Sequence, residues 1–264
     1  MEIITGIERE QMSALLREGK RLDGRGFDDI RPIKIDMGVI SKAEGSADAW
    51  LGETRIISGV KISTGKPFPD TPNEGVIITS AELSPIASPT FELGPPGEQA
   101  IELARVVDRG IRHSDFIKRE NLCIAPGEHV YLVMVDLYVL ADHGNLIDAG
   151  TLSAVYSLMD TKVPKIEVTE NGEAKVLDDF DPLEMGSPPL TVTMAKIENS
   201  IIADPTLEEE RVMETRLTIS IDGDDTITSM QKFGACPLTR QEISDCVERA
   251  SKIVKKMRNT LPKR

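Results

Sequence analysis

The sequence predicts an α/β fold, an α+β sandwich built twice along one chain. Three observations carry the prediction. Strand-like patterns recur in two blocks, over residues 33–63 and 190–232. Each block leads toward a long amphipathic helix, with apolar positions at helical spacing over 100–111 and 243–257. Strands are grouped ahead of helices rather than alternating with them, which is not the grammar of a Rossmann unit. A length of 264 residues suits one large domain or two ordinary ones. The expected division is an N-terminal helix and arm over 1–30, a first half over 31–165 and a second half over 166–264.

Composition narrows the function classes. Apolar residues make up 40% of the chain and aromatics only 4%, so the core must be aliphatic. The formal charge of −13 argues against broad nonspecific binding to nucleic acid, whose affinity comes from Lys and Arg neutralising phosphates. It leaves room for a local cationic strip and favours basic partners. Cys123, Cys236 and Cys246 form no C-x-x-C pair and have no zinc-like His spacing, so buried thiols in a reducing cytosol are expected. The first residues hold no signal-peptide core, and no apolar run reaches ~18 residues. A soluble cytoplasmic protein without a membrane span is the expectation.

Thr5-Gly6-Ile7-Glu8 has capping-box spacing and predicts a short helix to about Glu18, with Gly19 as its stop. Its apolar residues (Ile7, Met12, Leu15, Leu16) are few, so it must pack on something larger. Arg21, Arg25 and Arg31 follow in an arm with an Asp-Gly turn and are expected to bridge that arm to the domain body. Residues 33–63 read as an antiparallel meander turning at Gly52-Glu53. Residues 59–66 (GVKISTGK) imitate a phosphate loop, but the glycine spacing is one residue too long and Pro67 follows Lys66. Residues 67–73 form a stiff polar loop, 76–83 a strand, and 84–96 a Pro-rich loop into the next helix.

That helix, over 97–112, is the most informative element. Ala100, Leu103, Ala104, Val107 and Ile111 share one face. Arg105, Arg109 and Arg112 share the other, at i, i+4 and i+7. The row has two readings. It is a solvated face if Glu102 pairs with Arg105 and Asp108 with Arg112, pairs worth only ~0.3–0.5 kcal/mol each. It is a phosphate track if the planar guanidinium forks are free to bind phosphate oxygens.

Residues 118–127 connect onward to 130–140 (VYLVMVDLYVL), the strongest strand, whose near-continuous apolar run predicts cover on both faces. A turn over 141–148 opens a helix to about Met159, lined with Ala149, Gly150, Ser153, Ala154 and Ser157 for close approach to a sheet. Asp142-His143 lacks a nucleophile at suitable spacing and reads as structural, and neither His113 nor His129 completes a constellation. Residues 163–184 are acidic, with an Asn171-Gly172 hairpin turn, and read as the join. Strands then fall at 190–197, 200–203, 215–221 and 226–232. Between them lie an acid-rich loop at 204–210 and the turn Asp222-Gly223-Asp224-Asp225, which lacks EF-hand spacing. Thr239-Arg240-Gln241-Glu242 is a second capping box opening about five helical turns, and Lys255, Lys256 and Arg258 complement the dipole at its end.

These residues resemble ribonuclease-PH-type proteins. The likeness rests on Arg21, Asp23, Gly24 and Arg25 with Arg31-Pro32-Ile33, on Gly45-Ser46 with Gly52-Glu53-Thr54, and on the strand–loop–helix over 130–157. Residues 81–88 (AELSPIAS), 98–109 and 142–151 look like the larger, non-catalytic ring subunits of the archaeal RNA exosome. The resemblance runs from about residue 20 to the end of the last helix. It implies two β-α-β halves of the ribosomal-protein-S5-domain-2 type. It also implies a ring of three heterodimers with a catalytic ribonuclease-PH-type subunit, capped by RNA-binding proteins. In such a ring inorganic phosphate attacks the terminal linkage of single-stranded RNA at its 3′ end and releases a nucleoside diphosphate. No cofactor beyond phosphate in the partner's site is implied. Active members carry Gly-Thr-Arg where this chain has Gly144-Asn145-Leu146, and an aspartate whose neighbourhood here is matched to Gly186-Ser187-Pro188-Pro189-Leu190. The resemblance therefore implies no catalytic residue in this chain, and Arg105 and Arg109, then Arg112, as RNA-phosphate contacts. Asp179, Asp181 and Glu184 leave open an autonomous phosphorolytic exoribonuclease, and a purely structural ring component is the third reading.

Overall fold

The computed structural model describes residues 6–168 and 174–262, so the Thr5 end of the first capping box and the Asn171-Gly172 turn lie outside the described residues. After α1 (Gly6–Arg17), β1 (Ile33–Met37), β2 (Gly45–Leu51) and β3 (Thr54–Gly65) form the antiparallel meander. Gly52, at φ +60, makes the tight turn between the last two. The phosphate-loop imitation over 59–66 lies mostly within β3, extended and paired with β6. β4 (Val76–Leu83), α2 (Glu98–Arg112), β5 (Cys123–Ala125), β6 (His129–Ala141) and α3 (Leu146–Asp160) complete the first half. The sheet order is β1-β2-β3-β6-β4, with β5 also on β6 and β4 running parallel to β6.

β6 departs from the expectation of full cover. Val133, Val135, Leu137 and Val139 are buried, while Met134, Asp136 and Tyr138 on the alternate face are at least partly exposed. The helices cover one face of this sheet only, and its apolar run therefore serves two different environments.

β7 (Lys162–Val168) and β8 (Ala174–Pro182) form a separate antiparallel hairpin. The second half contains β9 (Leu190–Ile197), β10 (Ser200–Ala203), α4 (Leu207–Val212), β11 (Thr215–Ile221), β12 (Ile227–Gly234) and α5 (Arg240–Thr260), with sheet order β10-β9-β11-β12. The acid-rich loop expected over 204–210 is partly the helix α4, started by a capping box between Thr206 and Glu209. The Thr239–Glu242 capping box starts α5 as expected. In the turn after β11, Asp222 accepts the N–H groups of Asp224 and Thr226, so this carboxylate closes its own turn.

Parity along β9 shows how the layers stack. Leu190, Val192 and Met194 are buried in the aliphatic core with α5, and Lys196 on the same face pairs with Glu242 of α5. Thr191 and Thr193 point the other way, toward α2 and α3. Gly110 of α2 sits against Ser220 of β11, where an added Cβ would lie 3.0 Å from the serine Oγ. Small residues on the helices and short hydroxyl side chains on the sheet permit this close approach. α3, between the two sheets, is buried from Leu146 to Met159.

α1 does not pack on the half that follows it. Met12 and Leu16 join Ala195, Ile197, Ile202 and Val212 in a small core of the second half. The arm then carries the chain across to β1, and its arginines form the expected bridges. Arg21 donates from Nε and Nη2 to the two oxygens of Glu209 at 2.8 and 2.6 Å, and its side chain is fully buried. Arg25 and Arg31 both hold Asp204, and Arg31 also donates to the carbonyls of His143 and Gly144. Among the cysteines only Cys246 is buried, its thiol pushed up to about 11 by desolvation, while Cys123 and Cys236 are half-buried. No helix among the described residues is long and apolar enough to cross a membrane.

Candidate functional site

The Arg face of α2 forms one wall of a cavity of about 650 Å³. Arg105, Arg109 and Arg112 line it together, so the helical spacing did place them on one surface. The edge strand β4 and the loop that precedes it, including Phe68 and Thr71, also line it. Arg119 reaches the same cavity from the 3₁₀ turn Arg119–Leu122. Nothing in the periodicity of 118–127 signals that arginine, because it arrives through a connection rather than a regular face.

The three predicted arginines differ in how they are held. Arg112 pairs with Asp108, as the spacing suggests. Arg109 is half-buried and donates from Nη1 to Gln231 Oε1 on β12 at 2.6 Å. Arg105 is exposed and pairs with no carboxylate among the described residues. The expected Glu102–Arg105 pair is replaced: Glu102 turns toward the second sheet and holds Arg216 at 2.8 Å. The reason is that α2 is buried on two sides. Leu103 and Val107 face α3, and Gly110 faces β11. Arg119 is balanced by Glu74 at 2.9 Å. The result is a cationic wall in an otherwise acidic chain, with one unpaired guanidinium, one oriented by an amide and two balanced by carboxylates. Such a wall can bind a run of backbone phosphates.

The loop over 144–146 has a different character. Gly144 adopts φ +86 against the backbone of Thr206 and Leu207, Asn145 adopts φ +55, and Leu146 is buried. Carboxylates crowd it. Asn145 N donates to Glu210, and Asn145 Nδ2 bridges Asp148 and Asp204 at 2.8 Å each. Desolvation pushes Asp148 and Glu210 up to about 7 and raises Asp142 as well. Burial also acts to raise Asp204, but its hydrogen bonds and charge pairing with Arg31 outweigh that effect and hold it below the ordinary range. Arg25 and Arg31 are thus committed to Asp204, and Leu146 beside them is apolar and buried.

One expectation from the resemblance is corrected by the geometry. Leu146 and the Pro188-Pro189 segment were matched to two parts of a single site. Residues 186–188 instead line a cavity with Tyr156 and Met159, and Pro188 O accepts from Arg258. Met159 lies about 20 Å along α3 from Leu146 at 1.5 Å per residue. The two positions therefore occupy opposite ends of α3. The second-half segment that faces the 144–146 loop is the stretch 204–210. Asp179 and Asp181 lie on β8 beside Lys165, at 2.6 and 3.5 Å, and Glu184 accepts from Asn121, so none of these acids joins the loop or the arginine cavity.

The chain is similar to known proteins over nearly its whole length. Residues 29–164 match domain 1 of the 3′ exoribonuclease family (RNase PH), and residues 187–253 match domain 2. An exosome complex component Rrp42 of Thermococcus kodakarensis is 49% identical over 253 residues, 96% of this chain and 93% of that protein. One from Methanosarcina acetivorans is 49% identical over 249 residues, 94% of this chain and 91% of its own length. Among solved structures, an Archaeoglobus fulgidus exosome with RNA bound to the active site contains a chain 44% identical, with a TM-score of 0.89 over 96% of this chain and 97% of that one. An archaeal exosome core gives 40% identity and a TM-score of 0.84 over 96% of each chain.

Proposed function

The chain belongs to the 3′ exoribonuclease family of RNase PH type, and from that premise we propose that it is a ring subunit of an archaeal-type exosome, part of a 3′-to-5′ exoribonuclease complex. It has no phosphorolytic activity of its own. It completes the active site of a catalytic RNase-PH-type partner in a ring of three heterodimers beneath RNA-binding caps. Its direct contribution to substrate is the α2 wall, where Arg105 and Arg109, with Arg112 beside them, hold the backbone of single-stranded RNA. Binding of this kind reads phosphates rather than sequence.

The observation that carries the reading is the contrast between two places. The 144–146 loop, where active members hold phosphate with an arginine, has a buried Leu146 and carboxylates around it. The α2 wall has arginines aligned on an open cavity. Phosphorolysis must hold an attacking phosphate against the scissile phosphate, two like charges that need cations between them. The first place has its arginines committed to Asp204 and none free for such a pair, and the second can hold RNA on its way to the partner's site.

The test is release of nucleoside diphosphate from a short RNA in inorganic phosphate. The purified chain alone is expected to release none, and the complex with its catalytic partner to release it steadily. Robust release by the chain alone would sink the non-catalytic reading. Native mass measurement on the same samples checks the heterodimeric ring.

A further inference from the structure

At the far end of α3 from the 144–146 loop lies a cavity of about 410 Å³ that shares no lining residue with the arginine cavity. Its lining is mostly apolar, with Tyr156 and Met159 of α3, Leu190 of β9, and Leu261 just past α5. Short bonds hold the walls. Tyr156 Oη donates to the Pro262 carbonyl at 2.9 Å, and Gly186 N–H donates to the Phe116 carbonyl at 2.8 Å. Arg258 is the one charged side chain on the lining among the described residues. The sequence assigns it to the helix dipole, but its Nη1 and Nη2 donate to the Pro188 and Ile221 carbonyls at 2.8 and 3.1 Å, and its Nε is buried with no acceptor. Each Nη keeps a second N–H. No carboxylate lies within ion-pair distance of it among the described residues, although the chain carries a formal charge of −13. The two acids whose charge acts on it are committed elsewhere: Asp222 closes its own turn, and Asp225 pairs with Lys255 at 2.8 Å. Burial pulls the Arg258 guanidinium below its ordinary range.

We propose that this cavity binds a small organic monocarboxylate, with its alkyl or aryl body among Met159, Met185 and Leu261 and its carboxylate on the free N–H groups of Arg258. Small-molecule sites are of this size and kind: mostly apolar, with few polar groups that fix orientation. A desolvated guanidinium without a counter-charge is costly, and a carboxylate supplies the charge and two acceptors at once. One cation matches one negative charge, so a monocarboxylate suits the site better than a phosphate ester carrying about two. Methionine side chains are flexible and polarizable, so Met159 and Met185 can follow bodies of different outline. The site uses none of the residues offered to RNA and stands independently of that reading.

The test uses the full chain, alone and assembled with its catalytic partner, with methionine ε-methyl groups labelled for NMR. The probes are octanoate, octan-1-ol and octylamine, which share one chain length. Octanoate is expected to shift the signals of Met159 and Met185 and to leave that of Met134, on the uncovered face of the first sheet, in place. Octan-1-ol should bind about tenfold more weakly or worse, and octylamine more weakly still. Arg258→Gln should remove the preference, with octanoate falling by about tenfold or more and octan-1-ol staying within about twofold. Where the lost bonds to Pro188 and Ile221 unfold that variant, Met185→Trp decides, because it fills the cavity and leaves Arg258 in place. It should abolish octanoate binding, and an unchanged affinity overturns the proposal. Equal affinities for the three probes also overturn it, because the guanidinium then selects nothing. Octanoate that binds the chain alone but is excluded from the assembled complex makes the cavity a subunit contact, and the proposal falls.

Discussion

Replacing Arg21 by methionine should remove a large part of the stability of the chain. Arg21 makes four short contacts with no exposure of its side chain: 2.8 and 2.6 Å to Glu209, and 2.9 Å to each of the Ala203 and Asp204 carbonyls. Methionine fills similar volume but leaves the Glu209 carboxylate buried beside only the Thr206 N–H, 2.8 Å away. Breaking a buried pair from one side costs about 3–5 kcal/mol, because the remaining charge keeps its desolvation penalty. Removing both partners costs far less. Arg21→Met with Glu209→Leu should lose only about 1–2 kcal/mol, chiefly the helix cap and two weakened carbonyls. The assay is equilibrium urea unfolding, followed by far-UV circular dichroism and by the fluorescence of Trp50, the one tryptophan in the chain. Coincident transitions justify the free energies. A single-variant loss below about 1 kcal/mol, or a double variant equal to the sum of the two singles, would refute the reasoning.

Three further outcomes are expected. Asp148, pushed up to about 7 by desolvation, keeps its proton in the folded chain at pH values where the unfolded chain has lost it; its contribution is full below about 3.9 and disappears as pH rises through about 7. Asp148→Asn can keep the contacts to Asn145, Thr193 N and Thr193 Oγ1, so it should gain on the order of 1–3 kcal/mol over the parent at pH 8, about a third of that at pH 5 and little below about pH 4 in parallel melts. Gly144→Ala puts a Cβ 2.5 Å from the Leu207 nitrogen at a residue with φ +86, and should cost about 2 kcal/mol or more in the same urea assay. Arg105→Glu with Arg109→Glu should leave thermal stability within a few degrees yet lower the RNA affinity of the assembled complex at least tenfold, with the difference shrinking as salt rises; equal affinities would favour a purely structural subunit.

Much of the architecture is visible in the chain because local signals agree with tertiary need. The strand over 76–83 and the capped helix at Thr239 appear where pattern and caps place them. The misses share a cause: residues whose role depends on a distant neighbour. Acid density at 204–210 concealed the Thr206–Glu209 cap, since two of those acids, Asp204 and Glu209, find their partners only when Arg21, Arg25 and Arg31 arrive from the arm. Glu102 looked like a partner for Arg105, but the second sheet supplies Arg216. The arginine row was legible from helical spacing alone, whereas Arg119 and Phe68 reach the cavity from connections that carry no period. Which ends of α3 face which segments cannot be read from one strand pattern, and so Leu146 and Pro188 were joined in one site that the helix length separates.

The placement of α1 has a consequence for the order in which the molecule comes into being. A ribosome delivers Met12, Leu16 and Arg21 well before their partners at 195–212 emerge. The meander, α2 and α3 can collapse while synthesis continues, as N-terminal units do. The arm cannot join them, because a lone guanidinium and two apolar side chains find no burial until the last sheet exists. Closure of the molecule is therefore a late event with a very long loop to close, and its rate should respond to changes in the arm more than to changes in the first sheet. The arm and α1 are made before both sheets and take their places after them.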